Sequence, residues 1–351
     1  MAIDQSKLDA FVGKFIGELT VAMSAPLVIV GERLGLYKAM AAAGPVTSAQ
    51  LAKKTKTAER YIREWLANMT AAGYVEYDPA TERYTLPPEH ALVLTDETSP
   101  AFLMGGFDVV DAAFKGVART AKAYRSGKGV PWGSHDPCLF RGTERFFAPG
   151  YRANLVSSWL PSLSGVVEKL NRGATVADVG CGHGISTTVM AKAFPKSKFT
   201  GFDAHPPSVR EAKKRARAAG VSKNTRFETA KSAAFPGDGY DLVAFFDCFH
   251  DMGDPLAAAR HVRRSLAPDG TFMLVEPFAG DTLEQNLNTV GRVFYAASAQ
   301  ICVPASLSEG TAALGAQAGE ARIGAILRKA GFKRFRRAAE TPFNLILEAR
   351  I

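Results

Sequence analysis

The sequence predicts a doubly wound α/β sheet with a final antiparallel hairpin, preceded by a mainly α-helical domain. Three observations predict it. From Gly173 onward, short β-branched or aromatic runs alternate with helical ones, the pattern of a parallel sheet with helices on both faces. A glycine-rich turn follows the first of these strands. The first hundred residues read instead as successive helices and then a hairpin. The 351 residues are too many for one ordinary core, which fits two domains.

In order along the chain, residues 22–43 are apolar and alanine-rich and predict a buried helix ended by Gly44-Pro45. Thr47 or Ser48 is placed to cap a short helix through Lys54. Thr57 is placed to cap a longer one, with Ile62, Leu66 and Met69 at helical spacing and Gly73 as its stop. Residues 74–77, the polar turn Asp78-Pro79-Ala80 and residues 83–86 predict a hairpin. Helices followed by a hairpin in this order resemble a winged helix, which sets a first domain at 1–100. Residues 101–165 predict a helical connector rich in rings, among them Phe102, Phe140, Phe147, Tyr151 and Trp159. Such a set reads as core packing, with some rings available to line a substrate cavity.

The third region is 166–351. Strands are predicted at 175–179, 198–202, 225–228, 241–246 and 271–275, with helices at 185–194, 206–220 and 255–266 between them. Residues 332–336 and 344–349 predict the closing hairpin. The insertion 278–319, rich in Ala, Gly and Ser and carrying Phe294 and Tyr295 on a helix, is expected to form a lid.

The net charge of +9 raises nucleic acid as a partner, but its distribution argues against it. Residues 1–100 carry ten Lys/Arg against twelve Asp/Glu, so the excess lies in 101–351, with 33 against 22. Much of it sits in Lys213-Lys214-Arg215 and in the run 333–337, which read as solvated faces. Cys138, Cys181, Cys248 and Cys302 are scattered without a C-x-x-C pair, so neither a disulfide framework nor a metal site is expected and a cytoplasmic location is. No signal segment is evident, and the longest apolar run, 25–30, contains Pro26 and is too short to span a bilayer.

The most informative stretch is VADVGCGHG at 176–184. Closely spaced glycines let a backbone approach a ligand where any Cβ would collide. A dinucleotide fingerprint requires G-x-G-x-x-G, yet here Gly184 comes one position early. Asp178, two residues before Gly180, is poorly placed for a pyrophosphate and well placed for a cation. Asp203 ends the second strand 21 residues beyond Gly182, a spacing that suits a carboxylate accepting from both ribose hydroxyls of an adenosine. The alternative, two solvated aspartates beside a structural turn, explains none of the spacing.

VADVGCGHG followed by FTGFDAHPPSV resembles the first two motifs of class I S-adenosylmethionine-dependent methyltransferases, and DLVAFFDCFHDMGDP with LAPDGTFMLVEPF resembles the later ones. The resemblance covers about residues 165–351, with a Rossmann-like fold. The winged helix in front makes the whole chain similar to O-methyltransferase-type enzymes, and more so to a bacterial two-domain group. The resemblance implies S-adenosylmethionine as cofactor. Asp178 would then hold its amino group, directly or through water, and Gly180, Cys181, Gly182 and Gly184 would line its methionine portion. Asp203 would bind the ribose with Ala204 beside the adenine, and Asp247 and Cys248 would flank the methionine end. Such families often carry an acidic residue after the third strand for the adenine amine. Here the segment continues Ala230-Lys231-Ser232, so Lys231 and Ser232 mark that place by position only.

His250 lies just past the fourth strand, where plant-type O-methyltransferases carry a His that removes the substrate's hydroxyl proton; Met252 replaces the aromatic residue usual beside it. Glu276, ending the fifth strand, matches the carboxylate that orients that His. A His–carboxylate contact that merely anchors a loop accounts for the pair equally well. Three functions follow: methyl transfer to a small, hydrophobic, hydroxyl- or amine-bearing molecule; a DNA-binding regulator with the second domain as ligand sensor; and a nucleic-acid methyltransferase. Glu59, Arg60, Arg63 and Glu64 make the expected recognition helix neutral, against the second. An N-P-P-[YF] tetrapeptide is missing after the fourth strand, against the third. Winged helices in this setting more often mediate dimerisation, so the expected partners are a small molecule and a second copy of the chain, without nucleic acid or membrane.

Overall fold

The computed structural model describes residues 3–351, which divide into two compact units, 3–114 with Arg141–Pro149, and Lys115–Phe140 with Gly150–Ile351. The first unit contains α1 (Gln5–Arg33), α2 (Leu36–Ala43), α3 (Ser48–Thr55), α4 (Glu59–Ala71), the antiparallel pair β1 (Glu76–Asp78) and β2 (Arg83–Thr85), and α5 (Pro88–Leu94). Two further helices, α6 (Gly105–Ser126) and α7 (Pro137–Asn154), run through both units, so the 101–165 segment is divided between them.

The single helix expected over 22–43 is in fact two, and the first starts far earlier. Asp4 accepts from the Ser6 and Lys7 amides and opens α1, and Gly35 at φ +68° breaks the chain before α2. Nor is α1 a buried helix. It buries Ala25, Val28, Ile29 and Gly31, while Leu8, Phe11, Phe15, Leu19 and Met23 recur at three- and four-residue steps on an exposed stripe. With 29 residues and a mean hydropathy of 1.5 over its most apolar window, α1 is long and apolar enough to cross a bilayer. Reading uninterrupted apolar runs misses this, because charged residues punctuate the helix.

A capping box between Thr47 and Gln50 opens α3. The start of α4 departs from expectation, since Ala58 precedes it. The Thr57 hydroxyl meets that of Thr55 at 2.9 Å, and Ser48 donates to Glu59 at 2.5 Å. Ile62, Trp65, Leu66 and Met69 fill one face of α4 and pack with Tyr37, Met40 and Leu51. A Cβ on Gly31 would lie 2.5 Å from the Trp65 ring, so this small residue lets α1 close on α4. In the same unit Asp108 is buried and paired with Arg141 and, at 2.7 Å, with Arg145. Buried charges need such pairing to be tolerated.

The second unit contains α8 (Val166–Arg172), β3 (Thr175–Val179), α9 (Ile185–Ala193), β4 (Lys198–Asp203), α10 (Pro206–Ala218), β5 (Thr225–Thr229), β6 (Tyr240–Phe246), α11 (Pro255–Ser265), β7 (Leu266–Pro277), α12 (Thr289–Ala297), α13 (Val303–Glu309), α14 (Gly319–Ala330), β8 (Arg334–Glu340) and β9 (Asn344–Arg350). The sheet order is β5-β4-β3-β6-β7-β9-β8, and its parallel strands through β7 with a closing antiparallel hairpin of β8 and β9 are what the sequence predicts. Central strands β3 and β6 are covered on both faces and are almost uninterruptedly apolar. The chain leaves β3 toward β4 on one side and later returns as β6 on the other. The carboxyl ends of β3 and β6 therefore border the crevice where such sheets take ligands. The basic runs are solvated or paired: Lys214 meets Glu211 at 3.1 Å, and Arg337 meets Glu320 and Glu340 at 2.7 and 2.6 Å.

Candidate functional site

At the tip of β3 the chain turns through Gly180 (φ +75°) and Gly182 (φ +53°). The Gly180 and Cys181 amides both donate to the Phe202 carbonyl, at 2.7 and 3.0 Å, and the Gly182 amide donates to Asp203 Oδ2 at 2.9 Å. The loop is thus latched onto the end of β4. On its other side, a Cβ on Gly180 would lie 2.6 Å from Cys248 Sγ, so the loops after β3 and β6 abut. Gly182 meets no atom within 4 Å of where its Cβ would be, and faces open space. Gly184 differs: its Cβ would strike Phe227 and Ala212 at 2.8 and 2.9 Å, so it serves the packing of α9 and α10 on β5. Cys181 is buried with its sulfur against Gly201, which leaves its backbone to line the loop.

Asp178 is fully buried in β3. Its Oδ2 accepts from Ser186 at 2.6 Å and Thr187 at 2.5 Å, in the first turn of α9, whereas Oδ1 is buried with no hydrogen-bond partner among the described residues. Burial pushes its carboxyl up to about 6, against the pull of the two hydroxyls. Asp203 is held by the amides of Gly182 and, at 2.8 Å, His205; burial raises its carboxyl too. The Ala230 amide donates to the Asp203 carbonyl at 3.1 Å, which brings the 230–232 segment beside Asp203, with Lys231 exposed and Ser232 half-buried. Ala204 is exposed next to it.

Asp247, just past β6, takes φ +49°, a conformation unusual for a residue with a side chain and typical of strained functional turns. Its carboxyl is committed to Tyr151 (2.6 Å) and Asn344 (2.9 Å), and burial pushes it up to about 8. Cys248 Sγ donates to the Val179 carbonyl at 3.3 Å.

His250 and Glu276 meet as the sequence suggests, both buried. His250 Nδ1 lies 2.6 Å from Glu276 Oε2, and the Phe249 and His250 amides also donate to that carboxylate at 2.9 and 3.2 Å. His250 Nε2 lies 3.0 Å from Asp251 Oδ1, an ion-pair distance without hydrogen-bond alignment. Burial disfavours a charged ring, but Asp251 and Glu276 outweigh it and hold the imidazole well above its ordinary value. A His250 ring nitrogen, an Asp251 oxygen and Cys302 Sγ lie within 4.8 Å of one another. Burial pushes the Cys302 thiol up to about 12, so it stays protonated.

Cys302 ends a π-helical turn, Ser298–Cys302, between α12 and α13 in the 278–319 insertion. That insertion is fastened to the loop after β6. Ser306 donates to the Met252 carbonyl at 2.7 Å, and Gly253 and Gly310 approach so closely that neither has room for a Cβ. Ser186, Thr187, Asn344, Asp251 and Cys302 have no functional reading in the sequence, and Tyr151 has one only as a ring of the 101–165 set. Ser186 and Thr187 carry a usable signal, two adjacent hydroxyls eight and nine residues past the carboxylate, just beyond the glycine loop. Tyr151 and Asn344 stand almost a hundred residues from Asp247 and leave no local trace.

With this geometry in view, residues 22–96 match the Rv2258c-like winged HTH domain and residues 170–331 match the methyltransferase domain. The chain thus carries a winged HTH domain followed by a methyltransferase domain. It is 31% identical over 100 residues to a ubiquinone biosynthesis O-methyltransferase of Methylobacterium sp. (strain 4-46), a stretch covering 28% of this chain and 39% of that relative. The chain thus spans well under half the length of that curated relative. Among solved structures it resembles the mitomycin 7-O-methyltransferase MmcR, with TM-score 0.73 at 17% identity over 99% of this chain and 100% of that one. It also resembles human N-acetylserotonin methyltransferase in complex with S-adenosylmethionine, with TM-score 0.69 at 16% identity over 99% and 98%. These two likenesses concern the fold.

Proposed function

We propose that this chain binds S-adenosylmethionine at the β3–β4 loops and transfers its methyl group to a small hydroxyl- or amine-bearing molecule. One observation carries the cofactor reading. The Gly180, Cys181 and Gly182 amides are already used by Phe202 and Asp203, so they are not free to cradle a pyrophosphate, and Asp203 would repel one. What remains suits a phosphate-free, positively charged nucleoside: the unpartnered Asp178 Oδ1 for an ammonium, directly or through water, the open face of Gly182, and the clamped Asp203 carboxylate for two ribose hydroxyls. A buried acceptor without a partner is costly, and a donor from the ligand would relieve that cost.

Bound there, S-adenosylmethionine supplies a methyl group on a sulfonium. Asp178, Gly182 and Asp203 bind and orient, while the 278–319 insertion, fastened at Met252 and Gly253, excludes water from the His250 side. His250 takes the acceptor's proton at Nε2, with Glu276 fixing the ring through Nδ1. Incubation with methyl-labelled S-adenosylmethionine and a metabolite extract is expected to place the label in small organic-soluble products. Label recovered only in nucleic acid would replace this reading with the nucleic-acid one. The regulator alternative is less favoured: Arg60 and Arg63 on α4 are paired with Glu64 and Glu59 at 2.5 and 2.8 Å, so the helix presents no net positive charge to phosphates.

The exposed stripe of α1 supports a homodimer, because Leu8, Phe11, Phe15 and Leu19 would otherwise stay in water. Light scattering without detergent is expected to give twice the chain mass, and Phe11→Glu with Phe15→Glu to give a monomer. A wild-type monomer that sediments with lipid vesicles would instead assign α1 to a membrane surface.

A further inference from the structure

Three half-buried rings form a chain beside Asp203. Trp132 lies 5.5 Å from Phe140 between ring centroids, and Phe140 lies 4.8 Å from His205. His205 is two residues past Asp203, donates its amide to that carboxylate, and is braced by Ser208 Oγ at 2.9 Å from Nδ1. The segment bearing Trp132 and Phe140 is built to stay there. The Val130 amide donates to the Pro304 carbonyl at 2.8 Å, Arg119 donates to the Ser134 carbonyl at 2.6 Å, and Asp136 accepts from the Cys138 amide at 3.0 Å at the start of α7. Gly129 has no room for a Cβ against Ser308 and Leu307, and a Cβ on Gly133 would lie 3.3 Å from the His205 ring. No carboxylate stands in the 230–232 segment beside Asp203 to receive an exocyclic amine.

We infer that Trp132, Phe140 and His205 form the wall on which the adenine of the bound nucleoside stacks, so that the base is held by its face. This rests on the cofactor reading above. Asp203 is placed to fix the ribose, and the base of a nucleoside so held falls within reach of the next rings along the chain. Burial keeps the His205 ring neutral near pH 7, which favours stacking without adding charge. Base–aromatic stacking accounts for affinity changes of roughly 5- to 150-fold per ring on removal.

The test is calorimetric titration of wild type, Phe140→Leu and His205→Ala with S-adenosylhomocysteine and with 5′-methylthioadenosine, which keeps the adenosine and lacks the amino-acid end. Both variants are expected to bind both compounds roughly 5- to 150-fold more weakly, by similar factors. Phe140→Leu keeps the apolar bulk, so its fold is checked by an unchanged melting point. Should either variant melt early, the wild-type arm decides: Trp132 emission, taken as the difference from Trp132→Phe, is expected to change on adding either compound. Variants binding within about twofold of wild type, or a Trp132 signal blind to both compounds, would overturn the wall and leave the cofactor reading standing. A wild type that binds neither compound would overturn the cofactor reading itself.

Discussion

His250→Asn is expected to slow methyl transfer by about 10²–10⁴-fold, the usual size of a general-base contribution, with S-adenosylhomocysteine affinity little changed. Asparagine is the informative replacement. It can still donate to Glu276, which is buried and also accepts from the Phe249 and His250 amides, but it cannot take a proton where Nε2 stood. His250→Ala leaves that carboxylate short of a donor, so it also reports on stability. An asparagine variant with undiminished turnover means that alignment with the sulfonium suffices. Loss of turnover and cofactor binding together in both variants makes His250 an anchor of the loop after β6.

The pH dependence follows from the same contacts. Asp251 and Glu276 hold the imidazole well above its ordinary 6.5, so the ring is charged near neutrality and a base must first lose that proton. The wild-type rate is expected to rise with pH through a midpoint above 6.5, and the histidine variants to lose that rise. Stability runs the other way. A folded value raised above the unfolded one stabilises fully below about 6.5, and the contribution fades as pH climbs through the folded value. Thermal melts across this window check that sign independently of any substrate.

The second domain was legible because each signal was local. Apolar strands, helix stops at Gly and Pro, and the 21-residue step from Gly182 to Asp203 are all short-range signals, so the alternation of strands and helices and the pairing of loop and carboxylate follow from short segments. The His250–Glu276 contact was reachable for the same reason, since β6 and β7 are neighbours. Long-range partners were not legible. Asn344 reaches Asp247 only because β9 lies against β7, and Cys302 reaches His250 only because a π-helical turn ends there. The first domain was misread where polar residues interrupt the apolar pattern. The stripe of α1 is visible at period 3.6 and invisible to a search for runs.

In the function proposed above, Asp203 and the glycine loop hold an adenosine-bearing sulfonium cofactor. Calorimetric titration of wild type and Asp203→Ala with S-adenosylhomocysteine and with NAD tests it most directly. Wild type is expected to bind S-adenosylhomocysteine saturably at one site per chain and NAD not at all. Asp203→Ala should bind about 10²-fold more weakly or worse, since each hydrogen bond to a charged group contributes about 1.5–3 kcal/mol and this carboxylate is placed to accept two. Saturable NAD binding, silence toward S-adenosylhomocysteine, or an Asp203→Ala variant with wild-type affinity would contradict the claim.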